Sequence, residues 1–185
     1  MTTIPYDCRT DMTLMYQLDG YSKVRGNKSN NISLELKSTE DSILRCLGLR
    51  NITSIKFIGG IPLTIESLTI DSMPYGSQTK GFYDNLSKLF PNLTYLAITN
   101  CKLPNLTALP ANLRSLILSR NDLHELPKLP VGLRRLAVNR NHLETLPRKL
   151  PPKLVNLNVG CNGFLTPQVI SNDLDILGVD YSPYI

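Results

Sequence analysis

Leu126-Pro127-Lys128-Leu129-Pro130-Val131-Gly132-Leu133-Arg134-Arg135-Leu136-Ala137-Val138-Asn139-Arg140-Asn141-His142-Leu143 holds nearly one full turn of a repeating pattern. Its decisive part is Leu133-x-x-Leu136-x-Val138. The same template occurs as Leu93-x-x-Leu96-x-Ile98, Leu113-x-x-Leu116-x-Leu118 and Leu154-x-x-Leu157-x-Val159, with starts 20, 20 and 21 residues apart. Leucines two apart on a strand share a side, because successive strand side chains alternate. A strand template that returns at a fixed short period predicts a solenoid of stacked coils. One such coil cannot bury its own leucines, so each depends on its neighbours and the terminal coils need capping.

The residues between templates recur as well. Asn121, Asn141 and Asn162 each stand three residues after the last template position, and Cys101 holds that place in the first copy. An asparagine there has an amide that both donates and accepts, so a ladder of Asn121, Asn141 and Asn162, with Cys101 as a small substitute, is predicted between coils. Leu106, Leu126 and Leu146 follow, and then Leu109-Pro110, Leu129-Pro130 and Leu150-Pro151. Proline fixes φ and blocks helix, so the return path is expected to be extended or turned. Twenty residues leave little room for a helix in each coil.

A period of 20 to 29 with this spacing is the signature of a leucine-rich repeat. The run from Leu126 to Leu143 resembles the short, proline-containing bacterial-type repeat, which occurs in type III secreted effectors of enteric pathogens. Related repeats occur in proteins of large DNA viruses. The resemblance covers residues 93–165 and implies a protein-binding array. Some such effectors add a carboxy-terminal ubiquitin ligase domain built around a cysteine. That domain is not recognisable in this chain, and neither is the effectors' helical leader in residues 1–30.

Weaker copies extend the pattern. Leu174-x-x-Leu177-x-Val179 starts 20 residues after Leu154, which predicts a last strand near Tyr181. Upstream, Ile65-x-x-Leu68-x-Ile70, Ile52-x-x-Ile55-x-Phe57, Asn31-x-x-Leu34-x-Leu36 and Asp11-x-x-Leu14-x-Tyr16 fit the template at irregular steps. The long step to Leu93 predicts an insertion over 74–91, where Phe82, Leu86, Leu89 and Phe90 recur at helical spacing. The expected fold is thus a right-handed leucine-rich-repeat solenoid with one parallel β-sheet of about eight short strands. Its convex side should be extended or turned with little helix. Residues 1–30 are expected to form a cap and 31–185 the repeat domain.

Composition suits a single globular domain: 42% of the residues are hydrophobic and the mean hydropathy is −0.09. No apolar run reaches the roughly 18 residues of a membrane span, and the start, Met1 to Cys8, lacks the features of a signal peptide. Cys8, Cys46, Cys101 and Cys161 are scattered, which favours reduced thiols in an intracellular compartment. Six sequons, at Asn27, Asn31, Asn51, Asn85, Asn92 and Asn105, point the other way. A chain rich in Asn, Ser and Thr generates them by chance, and a glycan at Asn51 or Asn92 would crowd a neighbouring coil.

Charge is the main functional clue. Residues 102–153 hold ten basic residues against Asp122, Glu125 and Glu144, a net +7 in a chain of +5. Equivalent positions in neighbouring coils put Arg114 beside Arg134, Arg120 beside Arg140, and Arg135 beside Ser115. Like charges at ladder spacing repel and lower stability. Arg114, Arg120, Arg134, Arg135 and Arg140, with Tyr95 nearby, therefore form a candidate partner-binding strip. The competing reading is a solvated polar face that keeps the solenoid soluble. Arginine forks suit carboxylates, so an acidic protein is the favoured partner. Nucleic acid is disfavoured, because base stacking calls for aromatics beside the arginines and only Tyr95 is available.

Catalytic, metal-binding and cofactor motifs are missing: there is no Cys-x-x-Cys, His-Glu-x-x-His, phosphate-cradling glycine loop or serine elbow. His124 and His142 fall in turns and read as solvated surface residues. The expected function is a non-enzymatic interaction module that uses its concave face. The alternatives are a minor capsid or cementing component of a large DNA virus particle and an effector fragment without its catalytic domain. End-to-end association of solenoids is compatible with either.

Overall fold

A computed structural model describes residues 45–52 and 64–163 in full, and the backbone of strands at 13–18, 21–25, 33–37, 54–58 and 175–176. The strands are β1 (Thr13–Leu18), β2 (Tyr21–Arg25), β3 (Ser33–Lys37), β4 (Cys46–Arg50), β5 (Ser54–Ile58) and β6 (Ser67–Asp71). Two short helices, α1 (Lys80–Asp84) and α2 (Leu86–Leu89), precede β7 (Tyr95–Thr99), β8 (Ser115–Ile117), β9 (Arg135–Ala137), β10 (Asn156–Asn158) and β11 (Asp175–Ile176). Nine of the strands form one sheet in the order β1-β2-β4-β6-β7-β8-β9-β10-β11. Only the β1–β2 pair is antiparallel; every other neighbour is parallel. The fold is a leucine-rich-repeat solenoid.

Register explains the core. Leu47, Leu68, Leu96, Leu116, Leu136 and Leu157 sit opposite one another in consecutive strands. All of them are buried, as are Leu49, Ile70, Ile98, Leu118, Val138 and Val159 on the same side. Two residues past each strand's inward side chains, the backbone turns through a left-handed residue. Asn51, Ser72, Asn100, Arg120, Arg140 and Cys161 all have φ between 54° and 59°. A left-handed residue in every coil bends the chain off the sheet at the same place, at a cost of roughly 1–2 kcal/mol each for non-glycine residues. At the other end of the coil the carbonyls of Pro110, Pro130 and Pro151 accept from the amides of Leu113, Leu133 and Leu154, which aims each chain back into its strand.

The upstream templates are arranged differently from the sequence expectation. The strands containing Leu34 and Ile55 pair with each other, in parallel, as a separate two-stranded sheet. The place between β2 and β6 in the main sheet belongs to β4, within Leu44-x-x-Leu47-x-Leu49. Ile52, read as the start of a template, instead fills the buried turn position that asparagine holds further along the chain. The step from Leu47 to Leu68 is then 21 residues, and the remaining irregularity is the 28-residue step to Leu96. Downstream, Ile176 is paired with Leu157, one residue earlier than the template places Leu177. Leu174, Leu177, Val179 and Tyr181 lie outside the described residues, as do Asp11, Asn31, Cys8 and the sequon at Asn27.

The long step is filled by α1 and α2. Phe82, Tyr83, Leu86 and Phe90 are buried, with Phe82 edge-on to Tyr83 at 5.7 Å and to Phe90 at 6.1 Å between centroids. Tyr83 donates its hydroxyl to the Met73 carbonyl at 2.6 Å, and burial pushes its pKa far above the usual phenol range. Among the described residues no helix is long and apolar enough to cross a membrane.

Candidate functional site

The asparagines form the buried framework that holds the coils in register. Asn121 Oδ1 accepts from the amides of Cys101 and Leu103, while its Nδ2 donates to the carbonyls of Ile98 and Leu118. Asn141 accepts from Leu123 and donates to Leu118 and Val138; Asn162 accepts from Leu143 and donates to Val138 and Val159. Each amide thus ties its own coil to the preceding one. Cys101 directs its thiol at the Thr99 carbonyl, 3.0 Å away, and burial raises its pKa. The thiol also lies 4.0 Å from the Ile70 carbonyl of the preceding coil, a weaker continuation of the ladder, and further upstream the same position is apolar, as Ile52 and Met73.

With the leucines turned inward, alternate strand residues face the concave side. Tyr95, Ser115, Arg135 and Asn156 are in register across four strands, beside a second row of Ala97, Ile117, Ala137 and Asn158. Arg135 is exposed and Tyr95 half-buried. The other arginines stand to either side of this floor. Arg114 and Arg134 precede their strands and are linked through the backbone, the Arg134 amide donating to the Arg114 carbonyl at 2.8 Å. Arg120 and Arg140 occupy the left-handed turns after the strands. Five residues, three of them the strand β8, separate Arg114 from Arg120, at most about 20 Å at strand rise. The five arginines therefore fall into two groups: Arg114, Arg134 and Arg135 at the rim where strands start, and Arg120 and Arg140 at the rim where they end. All five are exposed.

Further upstream the polar positions are paired. Arg50 Nε lies 3.0 Å from Asp71 Oδ2, and Asp71 Oδ1 accepts from Thr99 at 2.7 Å and Asn100 at 2.9 Å. Partial burial raises the Asp71 pKa, but the hydrogen bonds from Thr99 and Asn100 and the Arg50 charge outweigh it and hold the carboxyl below its usual range. Arg45 pairs with Glu66 at 3.5 Å at the strand-start rim. Sequence reasoning did not single out Arg45 or Glu66; the only signal was the unrecognised template around Leu47. His124 and His142 are exposed and stack at 5.4 Å between centroids, with His142 Nε2 4.0 Å from Asp122. Among the described residues no group of three or more His, Cys, Asp or Glu is arranged to hold a metal ion.

No protein-family model matches the chain, and no curated protein does. Solved structures do. YopM from Yersinia enterocolitica WA-314 is 27% identical with a TM-score of 0.60, over 80% of this chain and 33% of that one. YopM from Yersinia pestis, a leucine-rich effector protein, is 29% identical with a TM-score of 0.60, over 75% of this chain and 36% of that one. The chain spans about a third of the length of these structures. Template, parallel register and these likenesses agree: the chain is a leucine-rich-repeat protein, similar in sequence and fold to part of the YopM effectors.

Proposed function

We propose that the chain is a non-enzymatic protein-interaction module that engages an acidic protein partner across its concave sheet and the arginines beside it. One observation carries the reading. Parallel register stacks exposed arginines of the second and third regular coils on each other, at a spacing of roughly 5 Å that costs stability and favours carboxylate ligands. The likeness to leucine-rich effectors supports a binding role. Cys46, Cys101 and Cys161 form no disulfide, in keeping with an intracellular setting.

The test is charge reversal. Arg114→Glu with Arg134→Glu is expected to abolish capture of a partner from host-cell extract while leaving the melting temperature unchanged. Retained capture would dismiss the arginines as a binding surface. Ordered self-association of the unmodified protein without any partner would point instead to a structural role of the kind found in particle components.

A further inference from the structure

The charges of the regular coils sort by rim. Turns at the strand ends carry Lys102, Arg120 and Arg140 together with Asp122, Glu125 and Glu144, and are neutral in sum. Turns at the strand starts carry Arg114, Arg134 and Lys153, with Arg135 at the first position of its strand and no acid among them. The large exposed apolar side chains of the described residues are on this same rim: Val131 is 75% exposed and Val155 54%, the latter one coil beyond Arg134. The rim continues upstream into a groove of about 590 Å³ lined by Arg45, Glu66, Thr94 and Arg114, with Asn92 and Asn112 beside them. Charge, apolar exposure and concavity thus coincide along one rim. On the return path, by contrast, the leucines beside Lys128, Arg148 and Lys149 are half-buried against the core.

Resting on the interaction reading above, we infer that the partner is engaged mainly along the strand-start rim, and that the occupant is an extended acidic segment of a partner protein bearing aliphatic anchors. The rim's backbone amides are already committed: Thr94, Arg114, Arg134 and Val155 donate to the carbonyls of Glu66, Thr94, Arg114 and Arg134. Binding by strand addition is therefore closed off, and recognition falls to side chains. An extended segment presents same-side residues about 6.6 Å apart, within reach of arginines stacked at roughly 5 Å. Acidic positions then meet Arg114 and Arg134, and an aliphatic one meets Val131 or Val155. Upstream in the groove Glu66 is already paired with Arg45 at 3.5 Å, so the acidic positions of the segment align with Arg114 and Arg134.

The test uses a short fluorescein-labelled peptide of alternating Glu and Leu, read by fluorescence anisotropy at low and high salt, with each variant's melting temperature as a folding control. Arg114→Glu with Arg134→Glu should weaken binding by at least about tenfold, as for close charge pairs across an interface. Val131→Asp with Val155→Asp should also weaken it, whereas Arg120→Glu with Arg140→Glu, on the rim whose charges sum to zero, should weaken it by a clearly smaller factor than reversal at the strand-start rim. Equal losses at the two rims, or no binding of the peptide by the unmodified protein, would overturn the inference. Ala137→Trp, which fills the concave floor without adding charge, separates the two readings. If it abolishes binding and reversal at the strand-start rim does not, the rim is wrong and the concave face stands. If neither substitution matters, both fall.

Discussion

The coils from Leu93 onward and the coil between β6 and β7 close the same loop around the same buried leucines by different means. In the regular coils the turn is closed by polar bonding: Asn121, Asn141 and Asn162 each satisfy backbone groups of two coils. In the earlier coil the equivalent residue is Met73, and the turn is closed by bulk, with Phe82, Tyr83, Leu86 and Phe90 packed behind it. Tyr83 supplies the hydrogen bond to the Met73 carbonyl from outside the turn. The comparison teaches that one turn geometry accepts two kinds of closure, amides that satisfy backbone groups of two coils or apolar side chains covered by the two short helices. Coil length does not follow from the turn residue alone, since the apolar Ile52 stands in a step of 21 residues.

The largest test of this contrast is in the shared core. Leu136→Ala is expected to destabilise by about 2–5 kcal/mol in chemical denaturation, since Leu136 is fully buried between two coils. A loss under about 0.5 kcal/mol, the range of a surface change, would put Leu136 outside the core. The next effect separates the two kinds of turn. Asn141→Leu orphans the buried Leu123 amide and takes one of two asparagine donors from each of the Leu118 and Val138 carbonyls, at a cost of about 1–3 kcal/mol. Met73→Leu, a volume-conserving swap, should cost less than about 1.5 kcal/mol. Equal losses would show that polar bonding and apolar fill do not divide the molecule as described.

The smallest effect is in acid. The Asp71 pKa is lower folded than unfolded, so its contribution is fully present above the ordinary carboxylate range and disappears as pH falls through the folded value. Asp71→Asn should therefore lower the melting temperature at neutral pH and make its fall toward acid shallower. Parallel pH profiles for the two proteins would remove Asp71 from the pairing with Arg50.

Much of this architecture was legible in the sequence. The step of 20 fixed the register, because only one phase puts Leu116, Leu136 and Leu157 on one side together. The ladder asparagines and the short helical segment around Phe82 and Leu86 were also readable. The β4 strand was not, because Ile52 fits two positions in the template and an apolar residue does not declare which one it fills. The division of the arginines between two rims was obscured for a different reason. Net charge counted along the chain merges Arg114 with Arg120, although the length of a strand separates them.

The stacking of equivalent leucines is most directly tested by methyl NOE spectroscopy on protein with labelled leucine and valine methyl groups. The account predicts a continuous series of contacts from Leu96 to Leu116, Leu136 and Leu157, each linking one strand to the next. Resolved methyl resonances with no contact between Leu116 and Leu136, or cross-strand contacts of the antiparallel kind in this region, would contradict it.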